Sequence, residues 1–163
     1  MATLQEDIAT QADWIVKAFA ADRLKLDYSI RSFIEIDRFF NKHAQNGQAK
    51  PGGRLAQNLG AIIFSLGSYV GQTIIKTIPG SAWETDDNDP EGEVNAAVKL
   101  PDGTTLWPMQ RVMKRFQNGS EDSVYNYGYT FTKDFTQEPF DQRYWEMEKA
   151  HSQAANKPWW KFW

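Results

Sequence analysis

From Leu55 to Ile75 the chain carries no charged side chain, between Arg54 and Lys76, and this run limits the possible folds more than any other. It is long enough to cross a bilayer, which takes about 20 residues. Yet it holds Gln57, Asn58, Ser65, Ser68, Gln72 and Thr73, and polar groups in hydrocarbon are costly. The pattern predicts a central helix over about 54–77, covered by neighbours on several sides. Gly60, Gly67 and Gly71 lie within it. Each glycine costs a helix roughly 1 kcal/mol against alanine, so three of them predict close approach by another element. Gly67 and Gly71 also form a GxxxG pair. In a water-soluble chain this predicts tight packing inside the fold, with a homodimer as the alternative.

Helices are expected on the N-terminal side of this run. Thr3 followed by Glu6 is a capping box, and Leu4, Ile8, Trp14, Ile15, Ala18 and Phe19 share a face beyond it. Ser29 can cap a second helix with the apolar stripe Phe33, Ile36, Phe39 and Phe40. The polar segment from Ala44 to Gly53, with Pro51-Gly52-Gly53, reads as a loop.

Beyond Pro79-Gly80 the pattern changes. Ser81–Thr85, Glu93–Leu100 and Thr105–Trp107 read as strands, with Pro101-Asp102-Gly103-Thr104 as a turn. Pro108 suits the first position of a helix ended by Asn118-Gly119. Val124–Thr132 alternates as a further strand, and Pro139–His151 as a last helix. The expectation is an α+β fold: N-terminal helices on one face of an antiparallel sheet, a helix inserted between strands, and a C-terminal helix. Residues 1–151 form one domain, and 152–163 a polar linker with a Trp-rich tail.

At 163 residues the chain suits a single domain, and such a chain buries about 70% of the surface its unfolded form exposes. It has no cysteine, which excludes disulfides, thiolate metal sites and a cysteine nucleophile. Net charge is −3, from 18 basic and 21 acidic side chains. That balance predicts no nucleic-acid partner, which needs a concentrated basic face. The start, MATLQEDIATQADW, lacks the basic and apolar regions of a signal peptide, and a cytoplasmic location is expected.

Four segments qualify as candidate sites. The loop from Asp86 to Glu93 is acidic, but a calcium loop begun at Asp87 places Val98 where a bidentate glutamate is required; a solvated loop is the expectation. Arg111, Lys114 and Arg115 lie within one helical turn. They can cradle a phosphate or an acidic partner, or answer the helix dipole and pair with Glu121 or Asp122. Tyr125, Tyr127, Tyr129 and Phe131 alternate, and so would project from one face of a strand, either as core or as an adhesive platform. Finally, Trp159, Trp160, Phe162 and Trp163 crowd the C-terminus beside Lys157 and Lys161. They suit a membrane interface, a groove on a partner protein, or an apolar patch on the same domain.

No catalytic or cofactor motif is recognisable. His43 and His151 stand in no known signature. Glu35 and Asp37, two apart on a helix, do not face each other. Three ordered segments carry a likeness: Leu26-Asp27-Tyr28-Ser29 with Ile36-Asp37; Leu66-Gly67-Ser68-Tyr69-Val70-Gly71 with Gly80 and Trp83; and Leu100–Tyr125, with Asp102-Gly103, Trp107-Pro108, Val112, Lys114-Arg115, Asn118-Gly119 and Asp122-Ser123. Over about a hundred residues, Leu26 to Phe131, the chain resembles a family of small bacterial domains without an established activity. Gln72 departs from that pattern, where an acidic residue is expected. The resemblance implies one compact bacterial domain and supplies no site residues. The leading expectation is a non-catalytic protein-binding domain of the immunity or adaptor type. Alternatives are attachment to a membrane through the tail and an enzyme whose dispersed site takes an anionic substrate.

Overall fold

A computed structural model of the chain describes residues 2–155. Its elements run α1 (Leu4–Ala21), a 3-10 turn (Ile30–Ser32), α2 (Phe33–His43), a small hairpin of β1 (Ala44–Gln45) and β2 (Gln48–Ala49), and α3 (Leu59–Thr77). There follow β3 (Ala82–Glu84), α4 (Gly92–Asn95), β4 (Ala97–Lys99), β5 (Thr105–Leu106), α5 (Pro108–Asn118), a 3-10 turn (Gly119–Asp122), α6 (Val124–Thr136) and α7 (Arg143–Ala155). The chain is α+β, with helices forming the body. The sheet is antiparallel in the order β3-β4-β5, Trp83 facing Val98 and Val98 facing Leu106.

The N-terminal elements form for the reasons visible in the sequence. Thr3 and Glu6 exchange both capping bonds. Asp87 adds a tertiary cap by accepting the Leu4 amide at 2.9 Å. Ile8, Ala12, Ile15 and Phe19 face the core, while Trp14, expected on that face, is 47% exposed. Ser29 caps the 3-10 turn that runs into α2, whose stripe of Phe33, Ile36, Phe39 and Phe40 is buried as expected. The segment 44–53 contains the β1-β2 hairpin where a plain loop was expected.

Helix α3 lies at the centre, packed against α1 and α5, and touching β3 and β4. It begins at Leu59 rather than Arg54. It is the only described helix long and apolar enough to cross a membrane, and it is mostly buried in the fold. Two of its glycines are explained by neighbours. A Cβ at Gly67 would lie 2.7 Å from the Met109 backbone of α5, and one at Gly71 would lie inside the Trp83 indole. The GxxxG pair is thus occupied within the chain. Gly60 has no such neighbour. Gln72 receives the Trp83 indole N–H at 2.8 Å.

The C-terminal half requires corrections. Only Ala97–Lys99 of the expected strand 93–100 pairs, because Gly92–Asn95 is a helical turn. Residues 124–132 belong to helix α6, not to a strand, so α5 follows the last strand instead of lying between two. Helix α7 begins at Arg143 and continues through Ser152–Ala155, the stretch read as linker. The tail residues Trp159, Trp160, Phe162 and Trp163 lie outside the described residues.

Candidate functional site

The α6 correction leads to the polar centre of the molecule. Asp37, on α2, is 0% exposed and accepts four hydrogen bonds. Its Oδ1 takes the Arg115 Nε at 2.9 Å and the Val124 amide at 3.0 Å. Its Oδ2 takes the Ser123 hydroxyl at 2.8 Å and the Tyr125 amide at 2.9 Å. The Asn126 amide goes to Ser123 Oγ. A helix start leaves several amides without intrahelical partners and attracts negative charge; here one carboxylate and one hydroxyl serve three of them. Burial pushes the Asp37 carboxyl up from its ordinary range, and the Arg115 guanidinium, the two amides and the Ser123 hydroxyl oppose that shift.

The network continues outward. Arg115 Nη2 donates to the Asp37 carbonyl at 3.1 Å and to Asn41 Oδ1 at 2.7 Å. Asn41 donates to Glu148 of α7 at 3.0 Å, and Ser120 donates to the other Glu148 oxygen at 2.6 Å. Beside this chain, between α2, the β1-β2 hairpin and α7, opens a cavity of about 490 Å³, lined by Phe40, Asn41, Lys50, Arg115, Ser120 and His151 among others.

The three cations that share one helical turn in the sequence are therefore divided. Arg115 is in the core, Lys114 is exposed, and Arg111 pairs with Asp122 at 2.6 Å while lying over the Tyr127 ring. The internal pairing with Asp122 was legible in the sequence; the burial of Arg115 was not, because its partner is 78 residues away.

The tyrosines are divided too. Residues two apart on a helix face nearly opposite ways. Tyr127 meets Phe131 and Arg111 on one side of α6, whereas Tyr125 and Tyr129 turn towards Phe140 and Tyr144. Burial is the main reason the Tyr127 hydroxyl is pushed up to about 12.

On the Tyr129 side lies a groove of about 450 Å³ bounded by α6, the α6–α7 connection and the turn before α2. Tyr129 and Phe140 meet edge to face at 5.1 Å, and Trp145, 53% exposed, stacks on Phe140. The Tyr125 hydroxyl accepts the Asp141 amide at 2.7 Å. Arg143 clamps Asp141 through Nε and Nη2 and so holds its carboxyl below the usual range. Arg31 also lines the groove, exposed, and its guanidinium has no carboxylate partner among the described residues. Arg31, Phe140 and Trp145 escaped the sequence reading because nothing in local periodicity joins positions 31 and 140.

Elsewhere the acidic loop stays at the surface, where Asp86 and Asp89 bond locally. Asp86 accepts the Asn88 amide, and Asp89 accepts the Glu91 amide and the Asn95 side chain. Among the described residues no group of three histidine or acidic side chains is placed to hold a metal ion. No family model, curated protein or solved structure matches this chain.

Proposed function

We propose that this chain is a non-catalytic protein-binding domain. The groove beside α6 supports that reading. Arginine, tyrosine and tryptophan dominate the energetics of protein interfaces; Arg31, Tyr129 and Phe140 line one depression, and the exposed Trp145 stacks on Phe140. The occupant is a segment of another protein that brings a carboxylate to Arg31 and an apolar side chain against Tyr129 and Phe140. An arginine free of internal partners can offer its full planar fork to a carboxylate. The non-catalytic part is supported by Asp37: this buried carboxylate spends both oxygens on Arg115, Ser123 and the α6 amides, holding α2, α5 and α6 together.

The test is co-purification of the full chain under native conditions, followed by reconstitution with the purified partner. A one-to-one complex that Arg31→Glu and Trp145→Ala each weaken at least tenfold is expected, since hot-spot truncations cost roughly 2 kcal/mol or more. Self-association in place of a partner, or a complex indifferent to both substitutions, refutes the proposal.

A further inference from the structure

The cavity between α2, the β1-β2 hairpin and α7 holds an unused cationic donor. Arg115 is 3% exposed and engages Nε and Nη2 with Asp37 and Asn41. Its Nη1 makes no hydrogen bond among the described residues. The described side-chain atoms that are buried without a partner are Ser81 Oγ and Arg111 Nε. Nη1 is not one of them, so it keeps contact with solvent, and Arg115 itself lines the cavity.

The surroundings favour negative charge. The Lys50 ammonium donates one bond, to the Asn41 carbonyl at 3.3 Å, and keeps two donors free. The His151 imidazole also lines the cavity, and no carboxylate is among the described lining residues. The nearby Glu148 carboxylate has both oxygens engaged, by Asn41 and Ser120. We infer that this cavity binds the phosphate group of a small soluble organic ligand, with Arg115 Nη1 at its floor and Lys50 at its side. Two guanidinium protons and two ammonium protons, carried by two cationic groups, suit the three terminal oxygens of a phosphate monoester, whose charge near neutral pH approaches about −2. At about 490 Å³ the space lies in the usual range for small-molecule sites, roughly 300–1,000 Å³. It therefore has room for an organic body against Phe40.

This inference is independent of the groove beside α6. Its test is calorimetric titration of the full chain in phosphate-free, low-salt buffer with glycerol 3-phosphate, inorganic phosphate and glycerol. Saturable one-to-one binding of glycerol 3-phosphate, with none of glycerol, is expected. Lys50→Gln and Gln45→Glu each change a residue of the lining outside the core. Each should weaken binding roughly tenfold or more, as loss of a charge-assisted hydrogen bond or gain of a like charge does. Melting curves check that both variants remain folded. Absence of binding, equal affinity in the folded variants, or binding only to phosphatidylcholine vesicles carrying phosphatidic acid overturns the inference.

Discussion

Arg115 donates from Nε to Asp37 Oδ1 at 2.9 Å, and the side chains of the two are 3% and 0% exposed. The same carboxylate also accepts the first two amides of α6. Removing one member of a buried ion pair strands the other, typically at a cost of about 3–5 kcal/mol. Arg115→Ala leaves Asp37 with three donors. Asp37→Ala strands a guanidinium, two amides and a hydroxyl together. Urea unfolding should therefore show Asp37→Ala to be the costlier substitution, and the double variant should lose clearly less than the sum of the two. Equal single costs, or simple addition, would contradict this account of the α6 start.

Two glycines of α3 should respond to alanine with opposite signs. Gly60→Ala meets open space and should stabilise by about 0.5–1 kcal/mol, through helix propensity and a less flexible unfolded chain. Gly67→Ala drives a methyl group against the Met109 backbone and should destabilise by roughly 1–3 kcal/mol, as overpacking does. Thermal melts of the two variants decide the matter, and a stabilised Gly67→Ala would mean that α5 yields easily.

His43 predicts a pH dependence. Burial pushes its imidazole down, helped by Lys42, and Nδ1 accepts the Arg54 amide at 3.2 Å, which a protonated ring cannot do. A base whose folded pKa is depressed contributes stability that is complete above the unfolded value of about 6.5 and is lost as pH falls below it. His43→Asn keeps an acceptor near the Nδ1 position and removes the titration. Wild type should lose stability faster than this variant between pH 7.5 and 5; parallel profiles would refute the prediction.

Tyr69 holds an uncommon backbone conformation in place. Tyr28 has φ of 62°, sparsely populated for a bulky side chain, and its amide donates to the Tyr69 hydroxyl at 2.8 Å. That hydroxyl also meets Ser32 Oγ at 2.6 Å. Tyr69→Phe strands the Tyr28 amide and should cost about 1–3 kcal/mol, while Ser32 Oγ keeps its bond to the Ser29 carbonyl at 2.6 Å. Ser32→Ala, which leaves the Tyr28 bond intact, should cost less. A Tyr69→Phe protein that melts like wild type would show that the loop holds itself.

The α1 capping box, the α2 stripe and the apolar run of α3 were legible because each is fixed by neighbours a few residues away. The trace fails at α6. Tyr125, Tyr127, Tyr129 and Phe131 alternate with period two and imitate a strand, whereas the segment is a helix with aromatic contacts on two sides. The helix start is fixed partly by Ser123 and partly by Asp37, 87 and 88 residues before the amides it receives. No window of local periodicity contains that carboxylate. The groove residues Arg31 and Phe140 were hidden for the same reason, and the burial of Arg115 removes the reading in which Arg111, Lys114 and Arg115 form one surface cradle.

The dependence of α6 on Asp37 also sets an order of events during folding. Contacts between residues far apart in the chain require closure of a long loop before they return any stabilisation, and they slow folding. Docking of α2 against the end of α5 must precede or accompany the growth of α6 from Val124. During synthesis Asp37 leaves the ribosome well before its partners exist, so the emerging N-terminal half holds a carboxylate that stays hydrated until Arg115, Ser123 and the α6 amides arrive. Completion of the core is thereby tied to the second half of the chain, and α1 to α3 alone do not make a finished interior.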